Sequence, residues 1–181
     1  ISLLFKLNSF VGLIVYYVVP SVYLSIRKKE YIKKTLVFSL IIAVPLAIII
    51  DYIGYVSKSW AIENSIFPFR YFEILTVEGL LWAILTVYFA ILFYEYFIDK
   101  HVSKKLIGGR MKYLIVILIV MMGVFLTLFF LSPTVLKIPY FYLWIGIIMF
   151  FIPVVLELFG HPKLIGKFMK AGSYFFYFNF L

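Results

Sequence analysis

Six continuous apolar runs, each about 20 residues long, decide what this chain can fold into. None shows the polar/apolar alternation of a barrel strand, so each reads as a helix that crosses a bilayer. The runs cover roughly residues 8–26, 35–55, 73–98, 112–132, 139–159 and 164–181, here spans A to F. Of the 181 residues 65% are hydrophobic and only 14% charged, against about half and a quarter in soluble domains. A water-soluble globule is excluded, and an all-α polytopic transmembrane bundle with short loops is expected. Pro20, Pro45 and Pro153 lie inside spans A, B and E, where kinks are expected.

Charge orients the bundle. Lys and Arg number 17 against 8 acids. Thirteen of the positives fall in the A–B loop (Arg27 to Lys34), the C–D loop (Lys100 to Lys112) and the E–F region (Lys163 to Lys170), with Lys6, Lys58, Arg70 and Lys137 on the alternate side. The positive-inside rule makes the first three segments cytoplasmic in a multi-pass cell-membrane protein. It also explains the basic excess without nucleic acid as a partner.

Sliding the chain by 133 residues aligns Val19-Pro20-Ser21-Val22 with Ile152-Pro153-Val154-Val155, which pairs span A with E and B with F. This is the pattern of a parallel internal repeat. It divides the chain into a first unit of three spans (1–110), a linking span (111–138) and a second unit (139–181). The chain reads as a piece of a longer protein, and the repeat places a second acid, matching Asp51, three residues past Leu181.

Ionisable residues inside apolar spans are the candidates for function, because each is costly in lipid unless it faces the bundle interior or water. Glu95 and Glu157 sit near the inner ends of spans C and E beside basic residues, and read as interfacial. His101 and His161 fall in the same cytoplasmic loops and read as solvated. Asp51 ends span B, and Glu78 lies in the outer part of span C, with Trp82 and Phe89 on its helix face at i+4 and i+11. A carboxyl group at the head of an aromatic face suits proton donation. The chain has no cysteine, and its scattered acids include no cluster able to hold a metal. Walker, Rossmann, His-Glu-x-x-His and Gly-x-Ser-x-Gly patterns are missing, so neither a metal nor a cofactor is expected.

The stretch from Tyr17 to Phe97 resembles one unit of the membrane-embedded lycopene cyclase domain family, the heterodimeric or fused carotenoid cyclase type. The matching features are Pro20, the basic loop Arg27 to Lys34, Asp51 at the end of the second helix, Trp60 nine residues later, and Leu75-Thr76-Val77-Glu78-Gly79-Leu80-Leu81-Trp82 opening the third helix. The sequence departs from the family at Thr76 and Gly79, where the family carries Pro and a second Glu. The resemblance implies non-redox cyclisation of a linear carotenoid or related isoprenoid, with Glu78 as the acid, Asp51 as its partner or the base, and Trp60 as a lid or cation-facing ring. It further implies a hydrophobic substrate that resides in the bilayer; Trp82 and Phe89, on the Glu78 helix face, are the candidate substrate-binding residues, and a homo- or hetero-oligomer is one expected form of assembly. Two other readings fit the same residues: a small proton- or cation-coupled transporter built on Asp51 and Glu78, or a non-catalytic membrane subunit.

Overall fold

The computed structural model describes residues 9–60, 65–98 and 111–151, with single positions 155, 159, 165, 166, 169, 170, 172 and 173. The chain is mostly helical. Four helices are long and apolar enough to cross a membrane: Phe10–Arg27, Lys29–Val56, Val77–Phe97 and Tyr113–Leu131. They correspond to spans A to D. Span E opens at Phe141 and is described to Phe151, while Pro153, Glu157, His161 and most of span F lie outside the described residues. The described structure therefore supports four spans rather than six, and the proline match that suggested the repeat falls beyond it.

Span A is a continuous helical run of α1 (Ser9–Leu13), a π turn (Ile14–Val18) and α2 (Val19–Arg27). The π turn has a physical cause. Pro20 lacks an amide donor and its ring crowds the carbonyl four residues back, so a widened turn just upstream relieves the clash. After a 3₁₀ turn at Lys29–Tyr31, α3 (Ile32–Val56) runs through Pro45 without interruption. It starts about a turn before the expected span B, because the 3₁₀ turn feeds it directly.

The largest helix interface is between α3 and α4 (Val77–Phe93). On α3, Thr35, Ser39, Ala43 and Ala47 recur every fourth residue and are all buried, Ser39 to 0% exposure. Small side chains at this spacing let two backbones approach closely, and close packing is what holds helices together in lipid, where apolar burial alone gives no preference. Enlarging the stripe should therefore be costly. Ser39→Leu is expected to lower stability by about 1–3 kcal/mol through overpacking, read as an earlier midpoint in detergent unfolding.

A cluster of Leu24 from α2 with Tyr88, Leu92 and Phe93 from α4 joins the first helix to the bundle. Polar atoms reinforce the join, since Ser25 Oγ and the Tyr88 hydroxyl lie 2.6 Å apart, and Ser25 Oγ also donates to the Ser21 carbonyl. Tyr88→Phe is expected to cost about 0.5–1.5 kcal/mol, measured in the same unfolding assay.

A second cluster binds α3 to α5 (Met111–Leu131): Ile49, Tyr52 and Ile53 pack with Phe125, Leu136 and Phe141. The opposite side of α5 is apolar and open, with Ile119, Val120, Phe130 and Leu131 all exposed, the last to 80%. Exposed large side chains in such number suit a lipid surface and not water.

Residues 70–76 correct the expected start of span C. Instead of extending the helix back to residue 73, they form a short hairpin in which β1 (Arg70–Tyr71) pairs antiparallel with β2 (Leu75–Thr76). Its turn puts Phe72 and Glu73 at φ 49° and 61°, and the Ile74 amide donates to the Tyr71 carbonyl. Consecutive positive φ values define the turn that fits hairpin twist, a geometry dominated by Gly and Asn. Neither residue type announces it in sequence. The helix begins only after Thr76, which caps it: its Oγ1 accepts from the Gly79 amide at 3.0 Å.

Candidate functional site

The end of α3 brings Trp60 back to Asp51. Ser57 closes the helix, Lys58 takes the left-handed conformation at φ 55°, and two bonds return to the last turn: Lys58 N–H to Tyr55 O at 2.9 Å and Ser59 N–H to Gly54 O at 2.8 Å. This is the Schellman arrangement, with lysine where glycine is usual. The chain reverses over its own final turn, and the six-membered ring of Trp60 settles on Gly54 so closely that a Cβ there would overlap it. Asp51 lies one turn earlier on the helix, and its carboxylate takes a hydrogen bond from the Trp60 indole. Relief of the backbone strain is measurable: Lys58→Gly is expected to raise stability by about 0.5–1 kcal/mol, seen as a later unfolding midpoint.

Trp60 is fixed from the other side as well. Its ring packs on Phe141 with centroids 5.8 Å apart, tilted by 32°. Phe141 is positioned by the segment that follows α5, whose Ile138 amide donates to Ser57 Oγ at 2.9 Å. The start of span E thus closes over the indole, and α6 (Phe141–Ile145) begins there.

Glu78 occupies the first turn of α4 and is 6% exposed. The segment Ser65-Ile66-Phe67 folds onto it. Oε1 accepts from the Ile66 amide at 2.6 Å and the Phe67 amide at 3.3 Å. Oε2 lies 2.7 Å from Ser65 Oγ, which is also 2.8 Å from the Phe67 carbonyl. A serine hydroxyl has one hydrogen, so it cannot fully serve both acceptors. Its hydrogen goes to Oε2, the shorter of the two contacts, so three donors converge on the carboxyl group. Ser65 Oγ thus bridges the buried carboxyl group and the exposed backbone at Phe67.

Trp82 and Phe89 meet on a different element. Both pack edge-to-face on Tyr17 of the π turn, at 5.9 Å and 6.3 Å between centroids. Trp82 remains half exposed, and Phe89 joins the Leu24 cluster. Asp51 and Trp60 are thus directly paired, Glu78 is held by the loop that follows them, and Trp82 and Phe89 line the α4 face toward the first helix. Sequence reasoning missed Ser65, Gly54, Tyr17 and Phe141. Of these, only Gly54 carried a signal, as the one glycine in a run of large residues between the acid and the tryptophan.

Among the described residues no group of three or more His, Cys, Asp or Glu is placed to hold a metal ion. No known protein family, curated protein or solved structure matches the chain.

Proposed function

We propose that the protein is a multi-pass membrane enzyme that cyclises a linear carotenoid or related isoprenoid without redox chemistry, its A–B, C–D and E–F segments facing the cytoplasm. The observation that carries this reading is the buried Glu78 carboxyl group, with its hydrogen bonds from Ser65 and Phe67. When protonated, this group gives its proton to the terminal double bond of the substrate and leaves a tertiary cation. The neighbouring alkene attacks that cation, which forms the ring bond and moves the charge into the ring. Loss of a ring proton to the Asp51 carboxylate then gives the ring double bond, and proton return to Glu78 completes the cycle. Atoms and electrons balance with no oxidant or reductant. Trp60, packed between Gly54 and Phe141, serves as the lid that fixes the Asp51 carboxylate, and an apolar surround keeps water from quenching the cation.

The full-length protein expressed in a lycopene-accumulating bacterium is expected to yield cyclised carotenoid by chromatography. Unchanged lycopene beside well-expressed protein overturns the carotenoid assignment. Proton uptake or substrate flux in reconstituted vesicles, lost on Asp51→Asn, would then establish the transporter reading in its place.

A further inference from the structure

Away from Glu78, the hairpin turn at Phe72 and Glu73 leans over the end of α3 and leaves a half-open crevice of about 420 Å³, lined by Tyr52, Tyr55, Phe72, Glu73, Ile74 and Phe129. Four of the six are aromatic, and one is a carboxylate. The rings are braced as walls rather than stacked: Tyr52 and Phe72 each meet Phe129 edge-to-face, at 74° and 76°. The turn that brings Phe72 and Glu73 here is held at φ 49° and 61°. Two consecutive non-glycine residues in that region are energetically costly, and strain of this kind collects at functional sites. Arg70 secures the hairpin by donating to the Ile74 carbonyl at 3.3 Å.

We infer that this crevice binds the ammonium group of a membrane lipid headgroup. Aromatic walls attract a cation through their ring faces, and a nearby carboxylate supplies the opposite charge, the combination that recognises alkylated ammonium groups. The crevice is of a size that holds small ligands. Depth selects a lipid as the source: Tyr52 and Tyr55 belong to the last turns of the membrane helix that ends at Val56, where headgroups lie and where tyrosine side chains are at home.

The test uses the full-length protein in a maltoside detergent, which offers no competing ammonium. Choline and its uncharged isostere 3,3-dimethylbutan-1-ol are titrated by calorimetry, and lipid retention is measured from micelles containing equal phosphatidylcholine and phosphatidylglycerol. Saturable choline binding is expected, at least about tenfold tighter than the isostere, with preferential retention of phosphatidylcholine. Glu73→Gln and Tyr55→Ala should each weaken choline about tenfold, while Tyr55→Phe, which keeps the ring face, should restore binding. Equal affinity for the isostere, or unchanged binding in Glu73→Gln, overturns the ammonium assignment. Choline binding without lipid preference assigns the crevice to a free ammonium compound and overturns the headgroup assignment.

Discussion

Glu78→Gln is expected to abolish ring formation, by at least about two to three orders of magnitude in rate, while leaving the fold as stable as the wild type. The two halves of this expectation come from one geometry. A glutamine amide reproduces the hydrogen-bond pattern of a protonated glutamate, with its carbonyl oxygen accepting from Ile66 and Phe67 and its NH₂ group donating to Ser65 Oγ. It cannot give up a proton to an alkene. Glu78→Ala separates the structural part from the chemical part, because it leaves three donors without their acceptor at about 1–3 kcal/mol each, and should lower the unfolding midpoint in detergent markedly. A Gln variant as unstable as the Ala variant would mean that the carboxylate, not the acid, holds the loop.

Gly54→Ala is expected to cost about 1–3 kcal/mol and to remove most activity, although it adds only a single methyl group. That methyl overlaps the Trp60 ring. The ring can yield only by leaving Phe141 and releasing the Asp51 carboxylate. Asp51 would then sit at the end of a membrane helix without its indole donor, and the base and the ring that fixes it would be lost together. Trp60→Phe keeps the ring contact without the N–H donor. A variant that is stable but inactive would show that the indole N–H matters more than packing. Wild-type activity and stability in Gly54→Ala would contradict the close approach itself.

The nine-residue interval from Asp51 to Trp60 was legible in the sequence as a spacing, and the structure gives it a cause. One turn separates Asp51 from Gly54, and the Schellman reversal through Lys58 and Ser59 returns the next residue to that turn. Membrane helices at spans A to D were legible because continuous apolar runs have no other solution in a bilayer. Helix ends were less so. The hairpin at 70–76 is made by Phe72 and Glu73 in a conformation that no residue type there advertises, so the apolar count ran the helix through it. The partners of Glu78 and Trp60 were hidden for another reason. Ser65 and Phe141 lie 13 and 81 residues away in sequence, respectively, and such pairings are fixed by helix packing and not by any local pattern. Trp82 and Phe89 were placed on the correct helix by i+4 and i+11 spacing, yet periodicity could not say that Tyr17 is what they face.

The central claim is that Glu78 begins the reaction by giving a proton to carbon, and solvent isotope incorporation tests it most directly. Cells or membranes carrying the full-length protein are supplied with lycopene in deuterated water, and the products are separated and weighed by mass spectrometry. Cyclisation by protonation predicts, for a single ring closure, a product isomeric with the substrate that carries one solvent deuterium on ring carbon, formed by the wild type and not by Glu78→Gln. A product that differs from the substrate by two hydrogens, or a ring closed without solvent deuterium, would contradict the account.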